Sequence, residues 1–212
     1  MIEKFSERYT DYLNQFNKYL NEVICSLSSN APQVIRDAMI YAVDGGGKRI
    51  RPILCIATAD ALGLAFDDIK EFALAIEIIH SYSLVHDDLP AMDNDDYRRG
   101  KLSTHKKFGE ANGILTGDAL LNFAFELCLS KKGFSENNAK ALLEIAKCAG
   151  YSGMIGGQVL DLQSNNDFFN DEKTLYQIIE NKTSKLLIAP LLVASILSDC
   201  TYEIVRQRLG KR

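Results

Sequence analysis

Residues 72–100 read FALAIEIIHSYSLVHDDLPAMDNDDYRRG, and each half of that stretch constrains the molecule. Phe72 to Val85 is a long apolar run with neither proline nor glycine. Phe72, Ala75, Ile76, Ile79 and Ser83 recur at helical spacing, which predicts an α-helix with one buried face. The run delivers Asp87 and Asp88. Asp93, Asp95 and Asp96 follow within ten positions, and Arg98 and Arg99 come directly after. Carboxylates at the end of an apolar helix are costly unless a positive partner occupies the space between them. A divalent cation serves, because hard cations such as Mg²⁺ take oxygen ligands and keep places for water and substrate phosphate. The arginines suit the same substrate, since a guanidinium grips phosphate oxygens in bidentate fashion. Asp87 and Asp93 would not align on an uninterrupted helix. Pro90 is therefore expected to loosen it, so that a short bulge swings Asp93 back. A solvated acidic loop is the bland alternative. An EF-hand is disfavoured, because Arg98 stands at its glycine position and Thr104 at its glutamate position.

Elsewhere the pattern is also helical. Phe5, Tyr9, Tyr12, Phe16, Tyr19, Leu20, Val23 and Leu27 mark an amphipathic first helix. Further helices are expected to about Val43, from Pro52 to about Leu62, to about Leu129, over about Asn138–Ala149 and through the glycine-rich YSGMIGGQVLDL (residues 151–162). Asp67 and Asp68 are expected to precede the central helix, and Asn165–Asp171 to form a polar loop. Thr174–Leu197 reads as one long helix kinked at Pro190. No segment sustains strand alternation. The expected fold is all-α, a single domain over residues 1–212 without repeats. The 212 residues suffice for a large core. A net charge of −4 gives no sign of nucleic-acid binding, and the apolar runs are too interrupted for membrane insertion. Five scattered cysteines, Cys25, Cys55, Cys128, Cys148 and Cys200, read as buried free thiols in a reducing cytoplasm.

Three further features carry chemistry. Lys48, Arg49 and Arg51 follow three glycines, a cationic turn suited to a diphosphate or simply a basic surface turn. His80 lies two turns before Asp87 on the same helix face, as a phosphate donor or a satisfied core residue. His86 has no evident place. Lys182 and Thr183 interrupt an apolar helix, and a lysine is rarely buried without a partner; the alternative is a snorkelling surface lysine. Together these suggest an apolar cavity for a hydrocarbon tail, with metal at its mouth and a second anion on the basic residues.

With these motifs the chain resembles the trans-isoprenyl diphosphate (polyprenyl) synthases, nearest the bacterial farnesyl diphosphate synthase type. GGGKRIRP, HSYSLVHDDLPAMDNDDYRRG, THKKFGEANGILTGDALL, GMIGGQVLDL and NKTSKLL occur in the family's order. The resemblance implies an antiparallel helix bundle around a central cavity. It implies a Mg²⁺-dependent enzyme, with Mn²⁺ as a substitute, that joins isopentenyl diphosphate to an allylic diphosphate. Asp87, Asp88 and Asp93 would hold the metal. Arg98 would contact the allylic diphosphate. Lys48, Arg51, His80 and Arg99 would bind isopentenyl diphosphate. Gln158, Lys182 and Thr183 would lie beside the allylic substrate and its developing cation, with Asp161 helping from the neighbouring turn. Tyr82 and Ser83 would close the cavity floor and favour a fifteen-carbon product. A homodimer, packed through the aromatic first helix, is also expected.

The family's second aspartate-rich motif, DDxxD, is absent, and Asp199, Glu203 and TYEIVRQRLGKR do not form it. The expectation is that residues are omitted after Arg212; a real truncation would give weak or no turnover. Asn94 stands where many relatives have aspartate. Alternatives are a geranylgeranyl diphosphate synthase, a non-catalytic diphosphate-binding subunit and a terpene cyclase. Lys48 and Arg51 argue against the cyclase, which takes one substrate.

Overall fold

Helix α4 (Phe66–Asp87) is the axis on which the other helices pack. The computed structural model describes residues 2–44, 46–166 and 172–199. Ile69, Phe72, Leu74, Ile76 and Ile79 are fully enclosed, so α4 is buried on every side and not along one face as expected. A helix apolar all round belongs at the centre of a bundle. α1 (Ile2–Cys25), α2 (Gln33–Val43), α3 (Ile50–Leu62), α6 (Glu110–Leu129) and α10 (Lys185–Leu197) surround it. The fold is all-α, and among the described residues the only strands are two residues each.

Asp67 and Asp68 sit in the first turn of α4, not ahead of it. The Asp68 carboxylate accepts the Ala65 N–H at 2.9 Å, satisfying a free donor at the positive helix end. At the other end Asp88 caps the helix and Pro90 cannot continue it. Asp93 is swung back as expected, though not by a bulge within a continuing helix. The chain instead folds back after the helix ends: Asp93 N–H donates to Asp87 O at 2.9 Å and Asp95 N–H to Asp88 O at 3.1 Å. Asn94 takes a left-handed φ of 55°, which asparagine tolerates better than most residues.

Tyr97–Arg98 (β1) then pairs with Lys101–Leu102 (β2) across a two-residue turn. Arg99 and Gly100 both have positive φ, the conformation that matches strand twist in tight hairpins. α5 (Thr104–Phe108) precedes α6, and α7 (Glu136–Ala149) begins at a capping box. Asn138 N–H donates to Ser135 Oγ and Ser135 N–H to Asn138 Oδ1, which starts the helix slightly earlier than expected.

The single long helix expected over Thr174–Leu197 is divided. After α8 (Met154–Asn166), α9 (Glu172–Ile178) passes into a π-helical segment, Ile179–Ser184, before α10. Lys182 and Thr183 lie in that wider turn, while Pro190 is buried within α10. π-segments are rare and concentrate at functional sites. Gly157 lets α8 approach it: a Cβ there would lie 2.2 Å from the Lys182 amide nitrogen.

Part of the aromatic stripe of α1 packs inside the chain. Phe16 is fully enclosed, Tyr19 meets Phe66 edge-on, and Tyr9 Oη donates to Lys48 O. Cys55, Cys128 and Cys148 are free and buried, but Cys25 is exposed, contrary to expectation. Cys200, Glu203, the tail and residues 167–171 of the expected polar loop lie outside the described residues. Among the described residues no helix is long and apolar enough to cross a membrane.

Candidate functional site

A cavity of about 600 Å³ opens between the second half of α4, α6, α8 and the π-segment. Leu84, Leu121, Met154, Ile155, Val159 and Leu162 give it an apolar wall. Eight residues singled out from sequence also line it: Arg51, His80, Tyr82, Ser83, Asp87, Gln158, Lys182 and Thr183. Helical spacing on α4 turns His80, Ser83 and Asp87 toward the same side. A second recess, about 560 Å³, is bordered by Lys48, Arg49, Arg51, His80 and Arg99 among others. The two hollows share Arg51 and His80.

The electrostatics divide along the same lines. Burial lowers the Arg51 pKa, with Glu77 opposing and Arg99 reinforcing the shift. His80 falls to about 3, first through burial and then through Arg51, Arg99, Arg49 and Arg98. A neutral imidazole among guanidinium groups gains from any anion placed beside it. Asp87 moves the opposite way. Burial pushes it up to about 6, Lys182 opposes this, and Asp93 adds to it. Asp87 therefore gains from a cation. The Gln158 side-chain oxygen and nitrogen are both buried without a hydrogen-bond partner. Lys182 Nζ pairs with Asp161 Oδ2 beside the cavity.

The three aspartates proposed as one metal set do not converge. Asp87 faces the cavity and Asp93, exposed, returns next to it. Asp88 is only 2% exposed and accepts two hydrogen bonds from Arg98 at Oδ1, one of them 2.9 Å from Nε. Arg98 and Asp88 border a separate small cleft with Tyr41, Ser103 and Thr104. Successive residues at a helix end point about 100° apart, and of the two adjacent aspartates Asp87 lines the cavity while Asp88 turns to the small cleft. Among the described residues no group of three acidic, histidine or cysteine side chains is arranged to hold a metal. The residues present still fit Mg²⁺. Asp87 and Asp93 offer hard oxygen donors whose mutual repulsion a cation relieves, and such an ion completes its shell with phosphate oxygens and water.

Two features escaped the sequence reading. Arg49 is buried, donating to Glu77 Oε1 at 2.8 Å and to Val43 O at 2.7 Å. It braces the turn that carries Lys48 and Arg51. Glu77, the one acid in the apolar run, was the available signal. His86 also lines the cavity; its seat depends on a glycine thirty-one positions later, which no local pattern reveals.

An all-helical bundle with an acidic rim, a cationic recess and an apolar tunnel defines the isoprenyl synthase class. The family model for polyprenyl synthetase matches residues 32–210, and the chain belongs to that family. It is 42% identical over 199 residues to a farnesyl diphosphate synthase of Micrococcus luteus, covering 94% of this chain and 67% of that protein. It is 41% identical over 187 residues to a chloroplastic geranylgeranyl pyrophosphate synthase of Capsicum annuum, covering 87% of this chain and 50% of that protein. The chain thus spans about half to two thirds of the length of these relatives. A crystal structure of a geranyltransferase from Legionella pneumophila matches with a TM-score of 0.91 at 35% identity, over 97% of this chain and 73% of that one.

Proposed function

We propose that the protein is a prenyltransferase of one catalytic domain that condenses isopentenyl diphosphate with dimethylallyl or geranyl diphosphate to give farnesyl diphosphate. The carrying observation is the apolar cavity lined by Asp87 and Lys182 that adjoins a cationic recess through Arg51 and His80. The allylic tail fits the cavity. Lys182, with Thr183 and Gln158 beside it, meets the tail's diphosphate, and Lys48, Arg51, His80 and Arg99 hold the second diphosphate. Asp87 and Asp93 would hold Mg²⁺, which when bound supplies electrostatic stabilisation of the departing diphosphate.

The carbon–oxygen bond breaks heterolytically, and its electron pair leaves with the diphosphate. Lys182 neutralises part of that charge from a preorganised position. Leu121, Met154, Val159 and Leu162 exclude water that would capture the carbocation. The isopentenyl double bond supplies the electrons for the new carbon–carbon bond, and the released diphosphate accepts the proton lost to form the product alkene. Asp88 acts indirectly, by holding Arg98. Tyr82 at the cavity wall supports a fifteen-carbon limit; a geranylgeranyl product is the second reading, favoured by the Capsicum annuum relative.

The free thiols of Cys55, Cys128 and Cys148 fit a cytoplasmic setting. Exposed Ile114, Leu115 and Leu129 on α6 support assembly as a homodimer, which light scattering tests. Incubation with labelled isopentenyl diphosphate, geranyl diphosphate and Mg²⁺ tests the reaction. Farnesyl diphosphate is the expected product. Absence of five-carbon extension with every allylic substrate would overturn the proposal, and binding without product would assign a non-catalytic subunit.

A further inference from the structure

His86 occupies the last turn of α4 and takes no part in the chemistry above. Its imidazole lies against the backbone of α6 at Gly117. A Cβ built at Gly117 would fall 2.0 Å from Nε2 and 2.2 Å from Cδ2, so the ring and any larger residue at 117 exclude each other. Nε2 lies 3.0 Å from the Ile114 carbonyl oxygen. A carbonyl only accepts, so Nε2 carries the proton and the ring is held in one orientation. Asp118 Oδ1, on the same helix, stands 3.9 Å away. The ring also meets Tyr82 edge-to-face, with centroids 5.8 Å apart at 82°. Tyr82 is 4% exposed and its hydroxyl has no partner, so ring contacts, not a hydrogen bond, fix its place. His86, Tyr82 and Leu121 all line the cavity.

We infer that Gly117 is a specificity-determining position: its bare backbone is a notch that draws the His86 ring back to the edge of the tail's path, and the ring seated there sets how long a tail the cavity accepts. Gly117 stands on α6, which carries none of the diphosphate-binding residues. A side chain at 117 displaces the imidazole, and the open direction is the cavity the ring already lines. The displaced ring takes the space next to Tyr82, about one and a half helical turns along α4 from Asp87. Short tails keep their seat and longer ones lose theirs. The inference rests on the prenyltransferase reading of the cavity.

The test is a calorimetric affinity series, with Mg²⁺, for dimethylallyl, geranyl, farnesyl and geranylgeranyl diphosphate. The native chain is expected to bind the first three and to reject the fourth. Gly117→Ala keeps dimethylallyl diphosphate within about threefold and weakens geranyl and farnesyl diphosphate at least about tenfold, since each methylene denied burial costs about fourfold. Removing the clashing ring, in Gly117→Ala with His86→Ala, restores the longer tails. His86→Ala alone does not depend on the glycine variant folding, and it admits geranylgeranyl diphosphate at least about tenfold more tightly than the native chain does. A loss in Gly117→Ala that is equal for all tails, or no rescue by His86→Ala, overturns the inference alone. An unchanged series in His86→Ala does the same. A native chain that binds no member of the series overturns the proposed function and this inference together.

Discussion

Arg49 with Glu77 and Lys182 with Asp161 are chemically similar pairs, each a long cation on a carboxylate. They sit in different solvents. The Arg49 and Glu77 side chains are 5% and 4% exposed, and those of Lys182 and Asp161 are 29% and 32% exposed. The first pair is sealed between α3 and α4 with the Val43 carbonyl completing it. Water cannot replace either partner, so it is committed to the fold. The second borders a cavity open to ligand. Water and Asp161 share Lys182 between them, and a phosphate oxygen can take the place of either. Depth of burial, not charge type, separates a brace from a binding group.

The largest expected effect tests the brace. Glu77→Ala leaves a buried guanidinium unpaired and should cost about 3–5 kcal/mol in chemical denaturation; a loss below about 1 kcal/mol would break the distinction. Tyr82→Ala comes next. Deleting an enclosed aromatic ring should cost about 3 kcal/mol and lengthen the products separated by chromatography. Lys182→Ala should change stability by under about 1 kcal/mol while weakening geranyl diphosphate about ten- to hundredfold in titration, a loss of about 1.5–3 kcal/mol. Equal losses of stability at Lys182 and Glu77 would erase the contrast between the two pairs.

His80 sharpens the comparison most gently. Its folded pKa, about 3, lies below its ordinary value of 6.5. The unfolded chain therefore binds the proton first as pH falls. The stability this group contributes is whole above pH 6.5 and erodes from there toward pH 3. His80→Asn should flatten that part of the stability curve, and added inorganic diphosphate should flatten it in the native chain by favouring the charged ring. Identical curves for the native chain and His80→Asn would show that the recess does not hold the imidazole neutral.

Much of the fold was legible because α4 announces itself. A glycine-free apolar run ended by Leu89-Pro90 leaves few alternatives, and His80, Ser83 and Asp87 stand at helical spacing. Lys182 stood out as a cation in an apolar helix. What stayed hidden depends on partners distant in sequence. Asp87 and Asp88 are the same residue type side by side, and only the position of Arg98, on a hairpin that no alternation betrays, decides which faces the cavity. The π-segment needs α8 at close range, which Gly157 permits. The reach of Arg49 forward to Glu77 spans twenty-eight positions and leaves no local trace.

Arg51 and His80 form a party wall between the two hollows. Negative charge entering one chamber draws on positive potential that the other also uses. Two occupants would therefore not be independent, and whatever factor one exerted on its neighbour's dissociation constant would return in equal measure. A molecule that held a guest on each side of so thin a partition would have cooperativity, of one sign or the other, built into its masonry.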